Sequence, residues 1–223
     1  MKKIITILSL FTGIISNAQY IEPTRFEVEA NFGYGFTVNI KDESNAQFAR
    51  KGDFKSKYNG LISEVSAHYR LGFDSSFLIG LRMDYVKGSR NAFTNFNSEN
   101  KFDITKEQGS MLFVGPSFRK EVVNSTGVFF STVSLSPGAV FLTNEFTGAE
   151  TGTISSTGIG INLSTSAGYV IYKDLMFTTN FGLDFSYFSK YNYDFPSNTA
   201  LNSNEDSSSF LRAKLAVGLR YKL

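Results

Sequence analysis

Residues 26–40 read FEVEANFGYGFTVNI, and every second residue of this stretch is apolar. The apolar set is Phe26, Val28, Ala30, Phe32, Tyr34, Phe36, Val38 and Ile40. Because successive side chains of a β-strand point to opposite faces of the sheet, this alternation predicts a strand with one apolar and one polar face. A helix would mix the two sets, so a helix is excluded here.

The same alternation returns in five later segments: Leu61–Phe73, Phe77–Tyr85, Ile159–Ile171, Leu175–Tyr187 and Leu211–Leu223. In all six segments the apolar set contains no charged residue. Two less regular strands are predicted between them, one carrying Leu112, Val114, Pro116 and Phe118, the other lying between Val128 and Leu142 and containing Pro137. Because proline cannot donate to a strand ladder, we expect bulges or local distortion there.

The connections between these strands alternate in length. Short turns are predicted near residues 74–76, 120–126 and 172–174, and long polar segments near 41–60, 88–108, 143–156 and 189–208. This alternation is typical of membrane barrels. The apolar face is also the bulkier one, which suits an outer surface in lipid better than a narrow lumen. The prediction is therefore an all-β fold, an eight-stranded antiparallel transmembrane up-and-down β-barrel, rather than a soluble barrel around a ligand.

The first nineteen residues have the three parts of a secretory leader: Lys2 and Lys3, an apolar run from Ile4 to Ile15, and small polar residues ending near Gln19. We predict a removed signal peptide over residues 1–19 and one barrel domain over residues 20–223. Without the two leader lysines, the 22 basic residues become 20 and match the 20 acidic ones. The predicted mature chain is neutral, which gives no support to nucleic-acid binding.

Charged residues fall on the polar face, which is predicted to line the lumen. Because the first and last strands of a closed barrel pair antiparallel, we predict an ion-pair cluster across the closure, made of Glu27, Glu29, Arg220 and Lys222. A lumen polar network is predicted from the remaining inward residues: Glu64, His68, Arg70, Arg82, Asp84, Asp184, Arg212 and Lys214. The alternative, a catalytic pair of Glu27 and Glu29, is disfavoured by the basic residues beside them.

His68 is the only histidine of the chain. Pairing across the hairpin is predicted to put it close to Arg82, with Ser66 and Asp84 one pair further along. These three residue types carry hydrolase chemistry, but a hydrogen-bonded lumen histidine is the favoured interpretation. With one histidine and no cysteine, we predict neither a histidine- or thiolate-based metal site nor a cofactor.

Two further regions are open to more than one interpretation. The inward face of the sixth and seventh strands is small: Gly158, Gly160, Asn162, Ser164, Ser166, Asn180 and Gly182. It leaves room either for a solvated passage or, as we prefer, for long arginine and lysine side chains. The first long loop carries Arg50, Lys51, Lys55 and Lys57, which are suited to lipopolysaccharide phosphates or a protein partner, although such a run is usually a solvated loop.

On these features the chain resembles the small outer-membrane β-barrels of the OmpX and OmpA-transmembrane-domain type, and the porin-like proteins of Bacteroidetes. The resemblance rests on the leader ending Asn17-Ala18-Gln19, the eight strands, and the terminal strand Leu211–Leu223. It implies a Gram-negative outer membrane, periplasmic chain ends, contact with lipid, and insertion by the barrel-assembly machinery. That machinery reads a last strand which commonly ends in an aromatic residue, whereas this one ends Tyr221-Lys222-Leu223.

Three functions remain in order of preference. The first is a non-enzymatic barrel with a structural, surface-interaction or adhesion role and a lumen filled by polar side chains. The second is a porin-like transporter of small solutes or, through a lateral opening near Pro116 and Pro137, of apolar molecules. The third is a lipid-modifying enzyme that uses Ser66, His68 and Asp84.

Overall fold

The computed structural model describes residues 25–42, 59–72, 76–94, 103–124, 127–147, 151–194 and 207–223. These residues form nine strands: β1 Phe26–Asp42, β2 Gly60–Arg70, β3 Phe77–Thr94, β4 Asp103–Val123, β5 Phe129–Thr147, β6 Gly152–Tyr172, β7 Leu175–Phe188, β8 Asn192–Asp194 and β9 Ser208–Lys222. The predicted leader and the basic residues Arg50, Lys51, Lys55 and Lys57 lie outside the described residues. In the described part of the chain, no helix is long and apolar enough to cross a membrane.

Eight of these strands close into a barrel. From β1 to β7, consecutive strands pair antiparallel, and β9 pairs with both β7 and β1. The short strand β8 pairs with Thr153–Ser155 of β6, past the end of the β6–β7 pairing at Gly158, on the edge of β6 that β5 does not occupy. The predicted eight-stranded antiparallel barrel is therefore confirmed. The two ends of the barrel are named as follows. The turn end holds the start of β1, the last residue of β9 and the β2–β3, β4–β5 and β6–β7 connections. The loop end is the opposite one.

The two faces of the wall differ as the alternation predicts. Large apolar side chains are exposed on the outer face around the whole barrel, with Leu61 75% and Ile159 70% exposed. Polar and charged side chains are buried on the inner face. A continuous apolar surface of this size is not stable in water, so the outer face requires an apolar medium. Aromatic residues stand exposed near both edges of this belt: Phe26, Phe77, Tyr169 and Tyr221 toward the turn end, and Tyr34, Phe36, Tyr85 and Tyr187 toward the loop end.

Four strands run further toward the loop end than predicted. Strands β3 and β4 pair as far as Thr94 and Asp103, and β5 and β6 as far as Phe146 and Gly152. Much of the predicted loops 88–108 and 143–156 is therefore strand. Outward side chains of these extensions include Lys106, Glu145 and Thr147, which are polar and exposed. The apolar alternation stops where the strands leave the apolar belt, although the hydrogen-bond ladder continues.

Strand β5 has one continuous phase that the sequence does not reveal. Its even-numbered residues face inward, and they include the buried apolar residues Phe130, Val140 and Leu142. Since both faces of β5 carry apolar side chains, the alternation of polarity is lost while the alternation of direction is kept.

The distortion expected at Pro116 and Pro137 takes the form of a gap in the ladder rather than a bulge. The β4–β5 ladder runs to Val114 opposite Ala139 and resumes at Phe118 opposite Leu135 in the same register, which sets the two prolines opposite each other. The two backbones nevertheless lie close together at the gap. A Cβ placed on Gly115 would lie only 2.1 Å from the carbonyl oxygen of Pro137. Glycine permits this close approach of the two backbones.

The β2–β3 hairpin corrects one predicted pairing. The amide of Leu71 donates to the carbonyl of Phe77 at 3.1 Å, and Arg70 pairs with Leu78. His68 therefore lies opposite Gly80 and not opposite Arg82. The predicted turn was centred one residue too late along the chain, and such an error displaces every cross-strand pair by two residues while leaving each side chain on its own face.

Candidate functional site: the barrel lumen

The lumen near the turn end holds a dense group of charges, which we call the turn-end ion cluster: Glu27, Glu29, Glu121, Arg70, Arg119, Arg220 and Lys222. Antiparallel closure sets Glu29 opposite Arg220, and Arg220 Nη2 lies 2.9 Å from Glu29 Oε2. The other nitrogen of that guanidinium, Nη1, lies 3.0 Å from Glu121 Oε2. Lys222 Nζ lies 3.0 Å from Glu121 Oε1 and 3.7 Å from Glu27 Oε1.

Two members of this cluster were missed by the sequence reasoning. Arg119 Nη2 lies 2.8 Å from Glu29 Oε2, and Glu121 Oε1 lies 2.7 Å from Arg70 Nη2. Both residues alternate with Phe118 on β4, so the apolar phase of that strand already indicated that they point inward. Arg119 was omitted because the fourth strand was treated as irregular. Glu121 was omitted because it fell in the predicted turn 120–126, which is wrong at its start, since β4 continues to Val123.

A second group, the central ion cluster, lies deeper in the barrel and consists of Glu64, Asp84, Asp184, Arg82, Arg212 and Lys214. The ammonium of Lys214 is fully buried and lies 2.6 Å from Glu64 Oε1, 2.7 Å from Asp84 Oδ2 and 3.1 Å from Asp184 Oδ1. Arg82 bridges Glu64 and Asp84, and Arg212 Nη2 lies 2.6 Å from Asp184 Oδ2. Three carboxylates thus face three cations, which satisfies the condition under which buried charges are tolerated.

His68 lies between the two clusters and has a hydrogen-bond partner. Its Nε2 is 2.9 Å from Ser117 Oγ, and both residues are buried. The predicted grouping of Ser66, His68 and Asp84 does not form a hydrogen-bonded line: Ser66 accepts from Arg119 Nη2 at 3.3 Å, while Asp84 is held by Arg82 and Lys214. The Nδ1 atom of His68 has no hydrogen-bond partner among the described residues.

The small residues of β6 and β7 make room for large side chains that cross the lumen. A Cβ on Gly182 would lie 2.4 Å from Cε of Lys214, and one on Gly168 would lie 2.0 Å from the ring of Phe130. Ser164 accepts from Arg82 Nη1 at 2.7 Å. The space is therefore filled, which favours the second of the two interpretations of this wall. Part of the filling is aromatic, because the guanidinium of Arg220 stacks 4.4 Å from the centre of the Phe130 ring.

An apolar layer follows the central ion cluster toward the loop end. This layer, the apolar septum, consists of Ile62, Val86, Met111, Phe113, Val140, Leu142, Phe188, Tyr191 and Phe210. The rings of Phe188 and Phe210 meet edge to face with centroids 5.6 Å apart. Tyr191, which follows the end of β7, turns back into the barrel and contacts Ser208 through their hydroxyls. Sequence reasoning missed the septum because its members occupy inward positions assigned to a polar lumen.

In the part of the chain that the structure describes, the charged and hydrogen-bonded groups of the lumen pair with one another. Among the described residues, no three histidine, aspartate or glutamate side chains are grouped as metal ligands. The carboxylates of the two ion clusters are already shared among arginine and lysine side chains, so their negative charge is neutralised within the wall. The arrangement therefore fills the lumen and links the strands around it.

No family model matches the chain, and no curated protein matches it. Among solved structures, the barrel is similar to a major outer membrane protein from Thermus thermophilus, with 14% identity, 89% of this chain and 98% of that chain covered, and a TM-score of 0.59. It is also similar to the outer membrane protease OmpT from Escherichia coli, with 8% identity, 92% and 99% covered, and a TM-score of 0.51. At these identities the likeness concerns the fold alone, which is that of outer-membrane β-barrels.

Proposed function

We propose that this protein is a non-enzymatic β-barrel of a Gram-negative outer membrane, with a sealed lumen and a structural, surface-interaction or adhesion role. The apolar outer belt and the fold shared with outer-membrane proteins support the location. In membrane barrels the short turns face the periplasm. The proposal therefore puts the turn end, and with it both chain ends, in the periplasm, after insertion by the barrel-assembly machinery.

One observation carries the sealed lumen: two consecutive layers of different chemistry fill the barrel. The ion clusters join β1, β2, β3, β4, β7 and β9 across the lumen through contacts of 2.6–3.1 Å. The apolar septum then closes the loop end with side chains such as Phe188, which is 0% exposed. An ion would have to break a network of paired, hydrogen-bonded charges and then cross a layer with few polar groups, which is unfavourable at both steps.

The test is single-channel recording of the refolded protein in a planar bilayer, with a conducting porin as the positive control. Heat-modifiable migration in gels first verifies that the barrel is folded. We expect no discrete conductance from inserted barrels, because both layers exclude hydrated ions. Stable unitary conductance would contradict the sealed lumen and support the porin-like transporter instead.

A lateral path for apolar molecules between β4 and β5 is disfavoured by the geometry of the ladder gap. Pro116 and Pro137 remove two hydrogen-bond donors from the ladder, but Gly115 and Gly138 keep the two backbones in close approach. A Cβ on Gly138 would lie 2.4 Å from the carbonyl oxygen of Val114. The proposal therefore assigns the gap a local structural role rather than an exit for ligands.

The enzymatic alternative has a separate test. We expect a His68→Gln, Ser117→Ala variant to leave the lipid A of producing cells unchanged, because both side chains are buried where no lipid reaches them. Mass spectra of lipid A from cells with the wild-type protein, the variant and no protein make the comparison. A lipid A modification that requires the wild-type chain and is lost in the variant would refute the non-enzymatic proposal.

A sealed lumen leaves the loop end as the surface on which a specific role depends. The basic residues Arg50, Lys51, Lys55 and Lys57 lie in the connection between β1 and β2, and they remain the predicted contact for lipopolysaccharide phosphates or an extracellular or envelope protein. Outward hydroxyl side chains such as Ser110 and Thr143 flank that end of the wall. The proposal is accordingly a barrel that anchors a polar outer surface.

A further inference from the structure

The outer wall carries a cavity of about 520 Å³ at the turn end, spanning β4 to β7. Its floor is a row of small outward side chains paired across the strands: Ser131, Ala167 and Thr179, with Val122 at one end. Phe129, Tyr169 and Phe177 form a parallel row on its turn-end side, where the Phe129 and Tyr169 rings lie 5.1 Å apart. We call this cavity the turn-end groove.

The groove lies on the face that requires an apolar medium, so its occupant comes from that medium. Its volume falls within the range of ligand sites, roughly 300–1,000 Å³. The hydroxyls of Ser131 and Thr179 on the floor, beside aromatic side walls, suit a molecule that has both ester and hydrocarbon parts.

A cation stands beside the groove on the same outer face. Lys120 precedes Val122 by two residues on β4, pairs with Val133 and is exposed. Its ammonium lies 5.4 Å from the centre of the ring of Phe77. Phe77 is the first residue of β3 and pairs with Lys120 across the β3–β4 ladder. An exposed lysine near the turn-end edge of an apolar wall is placed to meet an anionic headgroup.

We propose that the turn-end groove binds an anionic glycerophospholipid of the periplasmic leaflet, with its phosphate at Lys120 and its glycerol ester region over Ser131 and Thr179. This site rests on the proposed membrane location and orientation. It adds a specific lipid to the general lipid contact of the belt.

The absence of tryptophan from the chain allows a single fluorescent reporter. Phe129→Trp puts the reporter at the groove, and Phe26→Trp puts it on β1, on the opposite side of the barrel. Each protein is reconstituted in phosphatidylcholine vesicles that contain either brominated phosphatidylglycerol or the same fraction of brominated phosphatidylcholine. We expect phosphatidylglycerol to be preferred about fivefold at position 129, the contribution of one lysine near an anionic lipid surface, and hardly at position 26.

Substitutions distinguish lipid binding in the groove from a general attraction of anionic lipid to cations at the membrane edge. Lys120→Gln is expected to abolish the preference at position 129, whereas Lys173→Gln, which removes an exposed cation from the β6–β7 turn, leaves it unchanged. Ala167→Leu fills the groove and is expected to lower quenching by phosphatidylglycerol at position 129 to the level found at position 26. Ala30→Leu, a matched change on the outer face of β1, is expected to have no such effect.

The lipid site would be overturned if phosphatidylglycerol were preferred over phosphatidylcholine equally at positions 129 and 26. It would also be overturned if the preference at position 129 survived Lys120→Gln. Weak quenching by both lipids at position 129 alone would show that another occupant, such as a second copy of the chain, covers the groove, and would also overturn it. Flotation with the vesicles tests the membrane location separately. A chain that floats without lipid selectivity refutes only the groove, whereas a folded chain that fails to enter vesicles refutes both proposals.

Discussion

Replacing Lys214 by methionine is expected to lower the free energy of unfolding of the barrel by about 3–5 kcal/mol, the cost of removing one partner from a buried ion group. The ammonium lies within 3.1 Å of three carboxylates and is 0% exposed, so the substitution leaves Glu64, Asp84 and Asp184 with one cation fewer in the lumen. Reversible urea unfolding of the protein in lipid vesicles measures the change. Loss of heat-modifiable migration is the corresponding gel assay.

Lys87→Met is the matched control, because Lys87 lies on the outer face near the loop end and is exposed. Surface substitutions of this kind change stability by less than about 0.5 kcal/mol. Adding Asp84→Asn to Lys214→Met is expected to recover part of the loss, since it removes one of the carboxylates left with too little positive charge. Equal effects of the two lysine substitutions would refute the structural role of the central ion cluster.

The sequence predicted some pairs across the lumen and not others, and the difference depends on register. Glu29 faces Arg220 because antiparallel closure of the first and last strands brings their turn ends together, and the period-two phase puts both residues inside. The neighbours of Arg82 were harder to predict. They depend on the centre of the β2–β3 turn, which a single sequence determines only to within a residue or two. Alternation predicts the face of a residue, whereas the turn determines its partner.

The apolar septum was not predicted, although alternation puts its strand residues inside the barrel. Residues such as Ile62 and Val86 occupy inward positions near the loop end, where a polar lumen was expected. Tyr191 joins them from the segment after β7, so no strand period applies to it. Apolar side chains at inward positions near the loop end of several strands were the available signal, and on β5 the same signal was interpreted as irregularity.

The septum and the ion clusters exclude water by different physical means. The clusters hold charges that would attract water if any partner were lost, whereas the septum has few groups for water to bind. The septum therefore protects the central ion cluster from the loop end, and the Phe130 ring stacked on Arg220 covers part of the turn-end cluster. Two layers in series predict that opening one of them does not open the barrel.

Phe188→Ala tests this arrangement at the most buried ring of the septum. We expect a loss of about 3–5 kcal/mol in the free energy of unfolding, because the ring lies between Phe210 and Tyr191 and its removal leaves a cavity. Phe188→Leu keeps most of the volume and is expected to cost less than about 1.5 kcal/mol. Phe185→Ala, on the outer face of the same strand, is expected to cost less than Phe188→Ala, since lipid chains fill the vacated space.

The same Phe188→Ala protein is expected to remain silent in a planar bilayer, because the central ion cluster still fills the lumen beneath the septum. Discrete conductance from this variant, with none from the wild type, would show that the septum alone closes the barrel and that the ion clusters leave a continuous path for ions. Equal destabilisation by Phe188→Ala and Phe185→Ala would contradict the cavity argument, since only the inner ring is enclosed by protein on every side.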